Sequence, residues 1–145
     1  MAIDTTGKWW VGTEAGDIEE YLTAYTEEAY PVKEFKLAKC PCGSGNFRLE
    51  VDDDEEVAKR TCATCGVEHF VGDSEEYWKS AQPKTWKCIE CDSSQANVGV
   101  GFSTYEDGEV HWLYVGERCS RCGVLGSSAN WKVAYSPSRY LIDGS

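Results

Sequence analysis

The clearest helical pattern in the chain is "DIEEYLTAYTEEAY", residues 17–30, where Ile18, Tyr21, Leu22, Tyr25 and Ala29 recur on one face. Asp17 with Glu20 three positions on reads as an N-terminal capping box, and Pro31 stops the run. Glu19, Glu20, Glu27 and Glu28 are left on the outer, acidic face. Elsewhere the apolar period shortens to two. Phe47, Leu49 and Val51 alternate in "FRLEV", which predicts a half-buried strand running into "DDDEE" and returning through "VAKRT". Five adjacent acids cannot be buried, so Asp52, Asp53, Asp54, Glu55 and Glu56 are expected to protrude as the hairpin tip. "ANVGVGFSTY" and "VHWLYVGER" form a second hairpin turning at Asp107-Gly108, and "NWKVAY" is a last strand before Pro137. The fold class is therefore α+β, mainly short antiparallel strands with one amphipathic helix near the N-terminus.

The cysteines impose a second order on these elements. They fall as Cys40-x-Cys42, Cys62-x-x-Cys65, Cys88-x-x-Cys91 and Cys119-x-x-Cys122, with none left over. Two cysteines so spaced can aim both sulfurs at one metal, and the turn after the second sulfur needs a positive φ. Gly43, Gly66 and Gly123 occupy that place in three pairs, and Asp92, tolerant of the same backbone region, occupies it in the fourth. Two groupings into four-sulfur sites are open: sequential (Cys40, Cys42, Cys62, Cys65, then Cys88, Cys91, Cys119, Cys122), or interleaved as a cross-brace. An internal repeat favours the first, because "RTCATCGV" and "ERCSRCGV" each close a unit that begins with its own pair.

Each unit resembles a zinc ribbon, a knuckle and hairpin followed by a second knuckle and strand, over residues 36–72 and 86–135. The resemblance implies two Zn2+ ions in structural sites, and a layout of an N-terminal helical segment (1–36), a first ribbon (37–73), a linker (74–85) and a second ribbon with its C-terminal strand (86–145). Within the first knuckle "CPCGSG" also resembles the opening of the SEC-C zinc motif, but Val51 and Asp52 stand where that motif places its last ligands. A rubredoxin-like iron electron carrier is an alternative, since four thiolates hold iron as well as zinc; only Cys40-Pro41 matches the usual rubredoxin knuckle.

Charge narrows the function. The 145 residues carry a net charge of −11. Eight thiolates add eight negative charges and two zinc ions return four, so the loaded protein stands at −15. Such a charge opposes phosphate binding, which makes a nucleic-acid-binding or transcription-associated ribbon the weaker alternative. No open metal position, nucleophile elbow or phosphate loop appears, and His69 and His111 both sit inside strand patterns, so the chain reads as non-enzymatic. The expectation is a zinc-stabilised acidic module that binds a basic protein through Asp52–Glu56 and through Glu19, Glu20, Glu27 and Glu28. A concrete form is an immunity or inhibitor protein that neutralises a nucleic-acid-acting toxin or enzyme. No apolar run reaches membrane-spanning length and the N-terminus lacks a secretory pattern, so a cytoplasmic location is expected.

Overall fold

The computed structural model describes residues 3–133, 138–139 and 141–142. The expected strand "NWKVAY" therefore falls partly outside the described residues, at Ala134 and Tyr135. Helix α1 (Asp17–Thr26) is followed by strands β1 (Glu34–Leu37), β2 (Phe47–Asp52), β3 (Val57–Cys62) and β4 (Glu68–Phe70). A short helix α2 (Ser74–Tyr77), a 3-10 turn (Trp78–Ser80) and strand β5 (Lys84–Thr85) lead to β6 (Gln95–Thr104), β7 (Val110–Cys119) and β8 (Leu125–Lys132). The eight strands among the described residues join one antiparallel sheet with the central order β4-β3-β2-β6-β7-β8. Among the described residues no helix is long and apolar enough to cross a membrane.

That order is matched on either side of the β2–β6 pairing, where the two cysteine-bearing halves of the chain meet antiparallel. Phe47, the first residue of β2, pairs with Ala96 in β6, its counterpart in the second unit, and β2 runs antiparallel to β6. The strands that lead into each first knuckle are exchanged. β1 of the first unit lies on β6, and β5 of the second lies on β2. The exchange is reciprocal in detail. Ala38 N–H donates to the Val98 carbonyl and Trp86 N–H to the Leu49 carbonyl, each at 2.8 Å, and both donors stand two residues before a first-knuckle cysteine. The segment 74–85 thus joins the units and also contributes a strand to the sheet. Its buried Ser74 accepts the Ala58 N–H at 2.9 Å, fastening α2 to β3.

One apolar core runs across both units, with Phe47, Leu49 and Ala58 from the first and Val98, Val100 and Leu113 from the second. Helix α1 rests mainly on β6, β7 and β8, with Phe35 of β1 packed against the same cluster. Its approach requires glycine beneath it: a Cβ at Gly116 would stand 2.8 Å from Ile18 Cγ2 and 3.0 Å from Leu22 Cδ1.

Two expectations about α1 are corrected. The N-cap is Gly16, without a side-chain capping bond. Asp17 is instead buried and accepts the N–H groups of Thr13 and Glu14 at 2.9 and 3.2 Å, tying down the loop before the helix. The helix also ends at Thr26, short of the expected residue 30. There the Thr26 hydroxyl donates to the Leu22 carbonyl (2.8 Å) and accepts the Val32 N–H (3.1 Å), so the chain turns toward β1 one helical turn early. Tyr25, still within the helix, and Ala29, beyond its end, both expected on the inner face, are exposed.

Candidate metal centres

Each cysteine pair forms the same backbone loop. In the three Cys-x-x-Cys pairs the first cysteine's carbonyl accepts the N–H four residues on (Gly66, Asp92 and Gly123, each at 2.9 Å). Its own N–H donates to the carbonyl five residues on, at Val67, Ser93 or Val124. The Cys40 pair repeats this with one residue fewer, bonding Gly43 N–H at 2.8 Å and the Ser44 carbonyl at 2.9 Å. The residue after each second cysteine has φ of +97° (Gly43), +78° (Gly66), +62° (Asp92) and +84° (Gly123). Asp92 is one of only two non-glycine residues of this kind among those described, so the turn demands the conformation even where glycine is lacking.

The loops bring the sulfurs together in the sequential grouping. Cys40, Cys42, Cys62 and Cys65 form one cluster and Cys88, Cys91, Cys119 and Cys122 the other, with the Sγ atoms of each within 4.8 Å of one another. The short separations are 3.4 Å for Cys40–Cys65, 3.6 Å for Cys42–Cys62, 3.4 Å for Cys88–Cys122 and 3.5 Å for Cys91–Cys119. A tetrahedral ion with sulfurs at ~2.3 Å places them ~3.8 Å apart, so both clusters have the size of a four-thiolate metal site. The interleaved alternative is excluded by this geometry.

The chemistry of the donors fits a dication. Thiols this close titrate against one another. The Cys65 amide, followed by that of Thr64, draws Cys62 down to about 6 against the effect of burial. Cys40, despite the Cys42 amide, is pushed up to about 12 by burial and the neighbouring sulfurs. In the second cluster burial and nearby sulfurs raise Cys122 to about 12, while for Cys119 the amides of Cys122 and Arg121 outweigh burial and lower it to about 7. A divalent ion held by the four sulfurs would stabilise all of them as thiolates, offset two of their four charges and remove this conflict. Four soft donors serve zinc and iron alike, so the donor set leaves the element open.

Register fixes where the clusters lie. Cys62 pairs with Phe47, Phe47 with Ala96, and Ala96 with Cys119, so the two cysteines share one row of the sheet three strand spacings apart, about 14 Å. A side-chain bond from Asn46 Nδ2 to Gln95 Oε1 (2.6 Å) spans the centre of that row.

The surroundings of the clusters differ. Cys42 and Cys65 are exposed, whereas Cys91 and Cys122 are partly covered. Trp9, Val11 and Trp86 pack around the second cluster. An N-terminal strap holds the first two in place: Gly12 N–H donates to the Gly123 carbonyl and Leu125 N–H to the Trp10 carbonyl, both at 2.8 Å. Beside the first cluster lies Arg60, 8% exposed, with its guanidinium 4.8 Å from the Phe47 ring. Burial lowers its pKa, and the charges of Cys40 and Cys62 oppose that effect. Sequence reasoning did not single out Arg60 or its counterpart Glu117, although aligning "KRTC" with "GERC" places each two residues before a cluster cysteine.

The acidic residues are distributed as follows. Asp53, Asp54, Glu55 and Glu56 are exposed in the β2–β3 turn. Asp52 is the correction: it does not protrude, because it closes β2 and its carboxylate accepts the N–H groups of Asp54 (3.1 Å), Glu55 (3.2 Å) and Gln82 (2.8 Å). These bonds, that of Gln82 foremost, hold its pKa below the usual carboxylate range. A cleft of about 590 Å3 adjoins the turn, lined by Asp52, Asp53, Asp54, Lys84, Trp86 and Ser128 among others. On α1 and the turn after it, Glu19, Glu27 and Glu28 are exposed and Glu20 is half-buried. His69 and His111 join neither cluster; His111 lies against the rings of Tyr30 and Tyr105. Compared with known proteins, the chain matches no family model, no curated protein and no solved structure.

Proposed function

We propose that the protein is a non-enzymatic module, stabilised by zinc in both four-cysteine clusters, whose acidic surface binds a basic protein partner. In its concrete form it is an immunity or inhibitor protein that occupies the cationic substrate groove of a nucleic-acid-acting toxin or enzyme. The observation that carries this reading is the β2–β3 turn. Four consecutive exposed carboxylates stand at the far end of a hairpin whose base holds Cys62. Five residue steps of β-strand separate them from the cluster by about 17 Å, too far to act on the metal and well placed to meet a partner. A four-thiolate shell also leaves no coordination position for water, which suits a structural ion. At a net charge of −11, association with a cationic surface is steered electrostatically and weakens with salt.

The test has two parts. Elemental analysis of the purified protein is expected to find two zinc ions per chain; iron with visible absorbance would overturn the metal assignment. Proteins captured on the immobilised chain from its source cells are then purified and reassayed with it. A basic protein whose nucleic-acid activity falls on complex formation, with affinity decreasing as salt rises, supports the proposal. Binding indifferent to salt, or capture of acidic proteins alone, would sink it.

A further inference from the structure

The acidic groups steer a partner but give no fixed anchor, and an anchor of the right chemistry exists beside α1. A cavity of about 290 Å3 is walled by Trp9, Trp10, Tyr21, Ala24, Tyr25 and Leu125, with Lys8 also on its lining. Its rings are ordered: Trp10 meets Tyr21 edge-on at 5.8 Å, and Tyr21 stacks on Tyr25 at 5.8 Å and 9°. Tyr25 remains 55% exposed, so this aromatic surface is not used up in the core. The Lys8 ammonium lies 5.2 Å from the centre of the Trp9 ring, so a cation on an aromatic face is a contact this surface already makes within its own chain. Carboxylates bracket the cavity's helical wall. Glu20 lies one turn before Ala24, and Glu27, the C-cap of α1, follows three residues after it.

We infer that this cavity is the docking point for an arginine or lysine side chain of a basic polypeptide, which displaces Lys8 from the Trp9 ring. The choice of occupant follows from charge complementarity: an aromatic pocket flanked by carboxylates on a chain of net charge −11 attracts a cationic side chain with an apolar stem. This inference rests on the reading above that the partner is basic, and it adds where the partner is gripped. Buried aromatic and arginine anchors dominate protein interfaces, while peripheral charges set rate and salt dependence.

The probe is a hexa-arginine peptide, titrated into the 15N-labelled, metal-loaded full chain while the six tryptophan indole N–H resonances are followed. The Trp9 and Trp10 signals are expected to move most and to saturate. Tyr25→Ala should weaken binding about fivefold with metal content and thermal midpoint unchanged. Lys8→Met should tighten binding more than the charge-matched control Lys132→Met. If the peptide binds with the Trp9 and Trp10 signals still and Tyr25→Ala without effect, the pocket is not the anchor, and the basic-partner reading stands without it. If no binding occurs even at low salt, both inferences fall.

Discussion

The two four-cysteine clusters share a backbone and differ in almost everything around it. Their loops make equivalent hydrogen bonds and their sulfurs lie at matching separations. Yet the first is open to solvent at Cys42 and Cys65 and has a buried cation beside it, whereas the second is roofed by Trp9 and Val11. The contrast is sharpest two residues before Cys62 and Cys119. Arg60 pairs with Leu49 and Glu117 with Val98, equivalent places in the two hairpins, and both charged side chains are buried. Arg60 faces the sulfur charge of its cluster. Glu117 accepts the Ser128 N–H at 3.0 Å, and burial raises its pKa to about 7. The lesson is that metal geometry is set locally by the knuckles, while charge and access are set by what each half of the chain lays over them.

The largest effect should come from separating the halves. Because β1 and β5 are exchanged, residues 37–73 and 86–133 expressed apart are each expected to remain unfolded even with zinc present. A dispersed amide spectrum from either fragment would show that the exchange is dispensable. Next is the order of metal release. A chelator should strip the cluster of Cys42 and Cys65 before the covered one, giving two kinetic phases, and Cys65→Ser should abolish the faster. A single phase would mean that the N-terminal strap gives the second cluster no protection.

Arg60→Met keeps the packing over Phe47 and removes the cation. It is expected to lower metal affinity at the first cluster about tenfold and to leave the second unchanged, measured by competition with a chromophoric chelator. Equal loss at both would assign Arg60 a general structural role. The effect of Glu117 is confined to a pH window, and its sign is fixed by linkage. Its folded-state pKa lies above the ordinary 4.5, so its contribution to stability is full below pH 4.5 and declines until pH passes about 7. Across that window the unfolded chain ionises while the folded one holds its proton, a penalty of about 3 kcal/mol at completion. The stability of Glu117→Gln relative to the parent should therefore rise between pH 4.5 and 7 and level off above it, and a flat difference would show that Glu117 ionises freely in the folded state.

Much of the metal chemistry was legible in the sequence. Cysteine spacing, the three following glycines and the repeated "CGV" pointed to both clusters and their grouping, because a knuckle is encoded within six residues. What lay beyond reading was long-range. The exchange of β1 and β5 leaves no pattern, since "EFKL" and "KT" are too short to declare a partner. Asp17 matched a capping box, yet its carboxylate found Thr13 and Glu14 instead, a choice made by the strap that carries them. Burial of Arg60 and Glu117 was hidden because charged residues in half-buried strands ordinarily face solvent.

The reciprocal pairing of β1 and β5 has a consequence for how such a chain can arise. Equivalent strands meeting antiparallel at Phe47 and Ala96, each unit lending a strand to the other, is the layout of a symmetric homodimer. When two subunits of that kind become one polypeptide, symmetry no longer binds their sequences. A residue suited to one copy need not be suited to its twin, and arginine can stand where the other half keeps glutamate. One half of the sheet here carries a helix, a strap and an aromatic cavity while the other carries an open cluster and an acidic tip, an asymmetry that two identical subunits cannot reach.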